Sequence, residues 1–312
     1  MVPSGAMTSA PPLPGWLAAL LPFDRREVAL AGGERIHCID HGPRGGPIAL
    51  MVHGNPTWSF LWRRVIAGLP ELRCVAPDLL GFGLSSKLTM AEHSVERHAD
   101  ALAAFVEAMG LGRVILVGQD WGGPMVAGIG ARLPERVAGV VLGNTSVLVP
   151  ERPLGTWFHR FARLPVVSDV VFRGLGFPQN VLWSAQGDRG SIRGEVARAY
   201  RWPLRRLADR AGPLALARMV PSGPAHPSLP ALRRGEAWIR GFAAAGGPLA
   251  FVWGERDPIL GRALARHERA FPGAAVTRTR AGHYLQEEVP EALAAAVRAV
   301  AVRAGMLPGT GA

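Results

Sequence analysis

Residues 114–124 read VILVGQDWGGP, and this stretch decides the fold. Residues 114–117 form a short, wholly apolar run, which is typical of a strand buried on both faces of a sheet. Gly118 and Gly122 flank the next residues, and small residues there let the central side chain adopt a strained conformation above the sheet. The pattern predicts a strand, a sharp turn and a helix, with Asp120 at the turn. Taken alone, Asp120 could equally be the N-cap of that helix.

Short apolar runs of the same kind recur along the chain, where they alternate with longer amphipathic segments. Continuous apolar runs indicate strands buried on both faces, as in a parallel sheet flanked by helices. We predict a doubly wound, mostly parallel α/β sheet that begins with an antiparallel hairpin. The predicted hairpin strands are 27–30 and 35–40, the buried strands are 48–52, 74–76, 114–117, 137–142, 249–253 and 274–276, and the main helices are 95–109, 124–133 and 291–304.

One long segment interrupts this alternation. About a hundred residues between Leu142 and Leu249 contain no predicted strand and are rich in arginine, proline and aromatic residues. A connection in a compact α/β unit needs only about 2 to 6 residues besides its helix, so we predict an inserted helical cap over the carboxyl ends of the strands. The predicted division is an N-terminal extension at 1–23, a core at 24–145 and 226–304, a cap at 146–225 with an exit linker at 221–230, and a C-terminal tail at 305–312.

Composition excludes several classes of protein. Hydrophobic residues make up 48% and charged residues 19%, so the chain is not mainly disordered. No apolar run reaches the ~18 residues of a membrane span, so we expect no membrane partner. The apolar stretch at 15–23 lacks a preceding positive charge, since Arg25 is the first basic residue, and we therefore expect a cytoplasmic protein rather than an exported one.

The net charge of +11 is the strongest compositional bias. Such a balance can indicate a nucleic-acid or acidic partner. However, the arginines are spread along the chain, and neither zinc-finger nor RNA-binding motifs are present, so we expect no nucleic acid. The two cysteines, Cys38 and Cys74, lie in apolar runs and are expected to be buried, reduced and inert.

In an architecture with a turn of this kind, the nucleophile, the acid and the histidine follow one another in that order along the chain. Two further polar residues follow predicted buried strands in that order. Asp257 follows the run at 249–253, and His283 follows the run at 274–276. Carboxyl ends of parallel strands share one edge, so both side chains should face the same crevice. Alone, Asp257 would more often be a turn residue and His283 a surface residue, but their joint placement favours a catalytic triad.

The loop after the run at 48–52 reads HGNPTW. In this architecture such a loop supplies one backbone N–H to an oxyanion hole, beside the N–H of the residue after the nucleophile, here Trp121. Asn55 adds a side-chain amide donor. His53 is expected to be a structural loop residue. The sequence offers no set of histidine, cysteine and carboxylate residues for a metal, and we expect no cofactor.

Four motifs together resemble the haloalkane dehalogenases of the α/β-hydrolase superfamily: HGNPTWSFLWR at 53–63, GQDWGGP at 118–124, GERDP at 254–258 and AGHYLQEE at 281–288. The resemblance spans nearly the whole chain and implies the α/β-hydrolase fold with a helical cap. It implies Asp120 as nucleophile, with Trp121 and Asn55 holding the halide. The family places its acid after either of two strands, and because Asn144 stands at the earlier place, Asp257 should serve.

The resemblance implies a small haloalkane as substrate, with alcohol and halide as products. A carboxylate can displace halide from a saturated carbon, giving an alkyl ester on Asp120. His283, oriented by Asp257, would then activate a water that hydrolyses this ester. Halide is a weak base and needs no proton on leaving. The sequence leaves the preferred haloalkane and the oligomeric state open.

Three alternatives remain beside this interpretation. An epoxide hydrolase of the same fold would need proton donors from the cap, usually two tyrosines, whereas the chain has only Tyr200 and Tyr284. A fluoroacetate dehalogenase should carry arginines just after the nucleophile, and none is present at 121–124. The fold also hosts catalytically silent binding proteins. Phe158, Phe161, Phe172 and Tyr284 are candidates for the wall of the substrate pocket, although packing within the cap is the favoured role for most of them.

Overall fold

A nine-stranded sheet forms the centre of the computed structural model, which describes residues 5–149 and 157–309. Its strand order is β1-β2-β3-β5-β4-β6-β7-β8-β9. The pairs from β1 to β3 and the pair of β3 with β5 are antiparallel, and every other pair is parallel. The strands are β1 (Met7–Ser9), β2 (Arg25–Ala29), β3 (Arg35–His41), β4 (Ile48–Val52), β5 (Arg73–Pro77), β6 (Val114–Asp120), β7 (Val137–Thr145), β8 (Leu249–Gly254) and β9 (Ala275–Thr279).

Helices cover both faces of this sheet and form a cap beyond its carboxyl edge. The core helices are α1 (Gly15–Leu20), α2 (Arg63–Ala67), α3 (Val95–Ala108), α4 (Gly122–Arg132), α9 (Leu229–Ala244), α10 (Leu264–Ala270), α11 (Leu285–Glu288) and α12 (Pro290–Arg303). The cap helices are α5 (Trp157–Phe161), α6 (Val167–Asp169), α7 (Gly194–Arg201) and α8 (Ala211–Arg218). The predicted α/β-hydrolase fold with a mostly parallel sheet is confirmed.

The central strands are buried on both faces, as their continuous apolar sequences predict. In β6, Leu116 belongs to one apolar cluster, while Ile115 and Val117 belong to the cluster on the opposite face. Each fully buried aliphatic side chain of this kind contributes about 1.5–3 kcal/mol to stability. These clusters fix the strands, and with them the position of the carboxyl edge.

The last strand differs from the prediction. The run at 274–276 was expected to be buried on both faces, but Ala275, Thr277 and Arg278 in β9 are exposed. The physical reason is its place at the edge of the sheet, where only one neighbouring strand pairs with it. An additional strand, β1, pairs with β2 and was not predicted.

The segment between β7 and β8 contains both a cap and a core helix. α9 packs against α4 beside the sheet, so the crossover helix follows the cap within the same insertion. The predicted exit linker at 221–230 is two residues too long, because α9 begins at Leu229 with Pro230 in its first turn. Proline is accepted there since the first N–H groups of a helix have no partner inside it. The start of the predicted cap at 146 lies just after β7, and residues 150–156 are outside the described residues.

Three of the predicted pocket-wall residues form the small core of the cap. Phe158 and Phe161 pack around the fully buried Phe172, with ring centroids 5.8 and 6.2 Å from it. Leu214 of α8 and Ala162 complete this cluster. Packing within the cap, the role favoured for most of these residues, is what the structure shows for these three.

The cysteines are buried and belong to clusters on opposite faces of the sheet. Burial raises the pKa of the Cys38 thiol strongly and that of Cys74 to about 12, so both are protonated and unreactive at neutral pH. Along the described residues, no helix is long and apolar enough to cross a membrane.

Candidate active site

Asp120 ends β6 at the turn into α4 and has a φ of 52°. A left-handed backbone costs a non-glycine residue free energy, and such strain is stored at functional turns. The Thr145 hydroxyl donates to the Asp120 carbonyl oxygen and supports this conformation. Gly122 lies so close to the Val52 carbonyl oxygen that a Cβ there would overlap it. The predicted strand, turn and helix are therefore confirmed, with the carboxyl group held above the sheet.

Two backbone amides bind the Asp120 carboxylate. The N–H of Asn55 donates to Oδ1 over 2.7 Å, and the N–H of Trp121 donates to the same carboxylate. The loop that carries Asn55 comes this close because Gly54 has no side chain, since a Cβ there would overlap the Asp120 carboxyl group. Two convergent backbone N–H groups at one carboxylate have the geometry expected of an oxyanion hole, here around the carboxyl group of Asp120.

His283 lies between two carboxylates. Its Nδ1 is 2.8 Å from Oδ2 of Asp257, and its Nε2 is 3.6 Å from Oδ2 of Asp120. The N–H of Ile259 donates to the other oxygen of Asp257 over 2.7 Å and fixes that carboxylate. Because Asp257 accepts the proton on Nδ1, neutral His283 presents Nε2 as a base toward Asp120.

Burial and charge shift the pKa values of Asp120 and His283. Burial raises the pKa of Asp120, and the neighbouring His283 together with the two backbone amides opposes this rise. For His283, burial alone would lower the pKa, but the charge and hydrogen bond of Asp257 together with the charge of Asp120 raise it, and the net direction is upward. A poorly solvated carboxylate beside a base of raised pKa is typical of a catalytic pair.

The two predicted halide donors flank the carboxylate. The indole N–H of Trp121 has no acceptor among the described residues and is free for a ligand. The side-chain amide of Asn55 donates to the carbonyl oxygen of Pro213, in cap helix α8, over 2.9 Å. A carboxamide carries two N–H bonds, so one remains for a halide. The contact with Pro213 was not predicted, because no local pattern connects residues 158 positions apart.

Two residues that the sequence interpretation did not assign hold the loop of His283. Asn144, with a φ of 30°, accepts from the N–H of Gly254 over 2.8 Å and donates to the carbonyl oxygen of Gly282 over 2.9 Å. Gln119 donates to the carbonyl oxygen of His283 over 3.0 Å. Asn144 therefore connects the ends of β7 and β8 to this loop.

The two tyrosines have different surroundings. Tyr284 meets His283 edge-on, with ring centroids 4.8 Å apart, and burial followed by the charge of Asp120 raises its pKa. Tyr284 therefore lies beside the reacting groups. Tyr200, the tyrosine of the cap, is fully buried, and its hydroxyl donates to Glu287, which also accepts two N–H groups of Arg63 over 2.6 and 2.8 Å.

His53 has the structural role expected for it. Its Nε2 accepts from the N–H of Leu79 over 2.9 Å, and its Nδ1 contacts the carbonyl oxygen of Gly54. Burial lowers its pKa, so it is neutral at physiological pH. Across the described part of the chain, no group of three or more histidine, cysteine, aspartate or glutamate residues is arranged to hold a metal ion.

Comparisons with known proteins give a matching family model and several similar proteins. A family model described as the alpha/beta hydrolase fold matches residues 47–290. The protein named haloalkane dehalogenase 2 of Mycobacterium tuberculosis is 34% identical over 282 residues, covering 89% of this chain and 95% of that protein. The crystal structure of the haloalkane dehalogenase DbeA from Bradyrhizobium elkani is 27% identical, with a TM-score of 0.75, and covers 89% of this chain and 99% of that one.

A further relative carries a different name. The cis-3-alkyl-4-alkyloxetan-2-one decarboxylase of Xanthomonas campestris is 29% identical over 291 residues, which cover 89% of this chain and 95% of that protein. Similarity to this protein is therefore as extensive as similarity to the mycobacterial dehalogenase, at a lower identity.

Proposed function

The chain belongs to the haloalkane dehalogenases of the α/β-hydrolase fold, and we propose that it hydrolyses haloalkanes through a covalent ester on Asp120. The observation that carries this mechanism is the position of the Asp120 carboxylate. One of its oxygens accepts the N–H of Asn55, while the other faces the base His283. A carboxylate so placed has one oxygen held and one free to attack.

In the first step, Oδ2 of Asp120 attacks the carbon that bears the halogen from the side opposite to it. A carbon–oxygen bond forms, the carbon–halogen bond breaks with its electron pair, and halide leaves. The indole N–H of Trp121 and the free amide hydrogen of Asn55 stabilise the growing negative charge. Because Oδ1 stays in the oxyanion hole, it becomes the carbonyl oxygen of the ester.

In the second step, His283 removes a proton from water through Nε2, and the resulting hydroxide attacks the carboxyl carbon of Asp120. The N–H groups of Asn55 and Trp121 now stabilise negative charge on Oδ1. The ester bond breaks, the alcohol leaves with a proton, and the Asp120 carboxylate is restored. Asp257 keeps Nδ1 protonated and stabilises the imidazolium that forms.

The surroundings of Tyr200 argue against an epoxide hydrolase. An epoxide opens to a strongly basic alkoxide, which needs an acid at the leaving oxygen. Tyr200 is the sole tyrosine of the cap, and its hydroxyl is committed to Glu287 in the interior. Burial, with the Glu287 charge, also raises the pKa of Tyr200 well above its ordinary value, which makes it a poorer acid. The site is therefore suited to leaving groups that depart as stable anions.

The same argument supports a second candidate function. When Asp120 opens an oxetan-2-one at the saturated carbon that bears the ring oxygen, the leaving group is a carboxylate, which is also a weakly basic anion. The bond between this carboxylate and the neighbouring ring carbon then breaks, and carbon dioxide leaves. The electron pair of that bond forms the alkene, while the carbon–oxygen bond to Asp120 breaks and restores its carboxylate. Similarity to the Xanthomonas campestris decarboxylase favours testing this reaction on the same site.

The test measures halide release from 1-bromohexane and 1-iodobutane, with styrene oxide and a cis-dialkyl oxetan-2-one in parallel. We expect halide and alcohol from the haloalkanes and no diol from the epoxide. In a single turnover in ¹⁸O-water, the isotope should enter the Asp120 carboxyl group, because water attacks its carbon.

The His283→Gln variant separates the two steps. The first step needs no base, so this variant should release one equivalent of halide and retain an alkyl group on the Asp120 peptide, detectable by mass spectrometry. Asp120→Ala is the matched control and should release none. Turnover without an adduct or without isotope on Asp120 would refute the covalent route, and alkene from the oxetanone with no halide release would favour the second candidate.

A further inference from the structure

The loop that carries His283, residues 281–284, has no regular secondary structure. Its backbone N–H and C=O groups are buried and need partners from elsewhere, because an unpaired buried amide costs about 1–3 kcal/mol. We call these four residues the histidine loop. The hydrogen-bond partners of these backbone groups are therefore the residues that hold His283 in place.

From the core side, side chains hold the carbonyl groups of the histidine loop. Asn144 donates to the carbonyl oxygen of Gly282, and Gln119 donates to that of His283. The N–H of Ala281 donates to the hydroxyl of Thr279 in β9 over 3.4 Å, so the N–H groups of Gly282, His283 and Tyr284 are left without partners from the sheet.

From the cap side, residues 185–188 hold two of those N–H groups, those of His283 and Tyr284, and we call these residues the bracing segment. The carbonyl oxygen of Ala185 accepts from the N–H of His283 over 2.8 Å. The side-chain oxygen of Gln186 accepts from the N–H of Tyr284 over 2.9 Å, and its amide donates back to the Tyr284 carbonyl oxygen over 3.2 Å. Gln186 is 6% exposed, so these bonds are shielded from water.

Glu288 joins the two segments. Its Oε1 accepts from the N–H of Gly282 over 3.1 Å and from the N–H of Gly187 over 2.9 Å. Its Oε2 accepts from the N–H of Asp188 over 3.0 Å. One carboxylate thus binds the residue before His283 together with two residues of the cap. Hydrogen bonds to an ionised acceptor are about twice as strong as neutral ones.

We propose that Gln186 and Glu288 are positioning residues for His283, which make the hydrolytic step depend on a seated cap. Neither side chain contacts the reacting atoms. They fix the backbone on both sides of His283, and with it the direction in which Nε2 presents its lone pair. The inference rests on the proposed function, because only the second step uses that lone pair.

The two steps allow a specific test. We compare wild type with three variants, Glu288→Ala, Glu288→Gln and Gln186→Met, and with the control Glu291→Gln. Glu291 is an exposed glutamate in the first turn of α12. Rapid-mixing measurements with 1-bromohexane give the rate of the first equivalent of halide, which reports alkylation, and the rate of alcohol formation, which reports hydrolysis.

A misplacement of about 1 Å can cost on the order of 100-fold in rate. We expect hydrolysis to slow by about 10- to 100-fold in Glu288→Ala and Gln186→Met, and less in Glu288→Gln, which retains one acceptor oxygen. Alkylation should keep its wild-type rate, so a burst of halide and an alkylated Asp120 peptide accumulate. Glu291→Gln should match wild type in both steps.

Two results would overturn the inference: unchanged hydrolysis in all three variants, or an equal fall in alkylation and hydrolysis together with a lower thermal midpoint, which would indicate a merely structural role. If Glu288→Ala does not fold, Glu288→Gln carries the comparison. Failure of the proposed function would look different, since wild type would then release no halide and His283→Gln would form no adduct.

Discussion

Trp121 combines two donors in one residue. Its backbone N–H binds the Asp120 carboxylate, and its indole N–H is left without an acceptor among the described residues. The backbone donor serves both steps of the proposed reaction, because the carboxylate that it binds attacks in the first step and carries the ester in the second. The indole donor serves only the first step, in which halide leaves. The two functions can therefore be separated by a change of side chain.

Trp121→Phe should slow alkylation while leaving hydrolysis of the ester nearly unchanged. Removing one donor from an oxyanion hole costs about 2.7–4 kcal/mol, or about 100- to 1000-fold in rate, and we expect a loss of that order here. Rapid-mixing measurement of halide release from 1-bromohexane checks this. Trp238→Phe, on core helix α9, is the control for loss of an indole. An unchanged alkylation rate in Trp121→Phe would exclude the indole as a halide donor.

At the scale of elements, α7 connects the cap to the core. The indole N–H of Trp58 donates to the carbonyl oxygen of Ala199 over 3.1 Å, and the Tyr200 hydroxyl donates to Glu287. On the outer side of α7, the guanidinium of Arg198 lies 3.9 Å from the ring centroid of Trp16. α1, in the predicted N-terminal extension, therefore packs against the cap as well as the core.

Tyr200→Phe should lower stability without affecting dehalogenation. The variant removes a buried hydrogen bond to a carboxylate, which contributes about 1.5–3 kcal/mol, while Arg63 keeps its two bonds to Glu287. Urea unfolding gives the change in the free energy of unfolding. Glu287→Gln, which also disrupts the charge pair with Arg63, should destabilise the protein further. A loss of halide release at unchanged stability would instead assign Tyr200 to the reaction.

At the scale of the whole molecule, several histidines are buried in the neutral form. Burial lowers the pKa of His93 to about 4 and that of His98 to about 3, and their rings are joined by a 3.0 Å hydrogen bond. Burial likewise lowers the pKa of His267 to about 4. An unfolded histidine titrates near 6.5, so the unfolded chain binds more protons than the folded one below that pH. The contribution of these histidines to stability is therefore complete above about pH 6.5 and declines as the pH falls toward 4.

The free energy of unfolding should therefore decrease between pH 6.5 and 4, and His98→Gln should decrease it less steeply because one titrating group is removed. Thermal unfolding across this range measures the slope. Asp78, whose pKa is lowered by the adjacent His37 against the opposing effect of burial, is present in both proteins, so its titration cancels when the two slopes are compared. Equal slopes in wild type and His98→Gln would contradict this account.

Local patterns determined the sheet and the order of the reacting residues along it. The continuous apolar runs at β4, β6, β7 and β8 encode strands buried on both faces, because no polar side chain interrupts them. Asp120 and Asp257 follow such runs at β6 and β8, His283 follows the edge strand β9, and parallel strands bring their carboxyl ends to one edge. The geometry at Asp120 could be predicted because flanking glycines and a central acid are features of adjacent residues. The edge position of β9 and the core packing of α9 could not, since both depend on neighbours distant in sequence.

What the tertiary structure alone decided is how the cap meets this edge. Asn55 bonds to Pro213, Tyr200 to Glu287, and the bracing segment to the histidine loop, across separations of 87 to 158 positions. Each contact joins an irregular loop or a short helix to another, and neither partner carries a local signal of where the other will lie. A buried backbone N–H or C=O group requires a hydrogen-bond partner. Tertiary packing decides which polar side chain lies close enough to be that partner, so the local sequence does not show it.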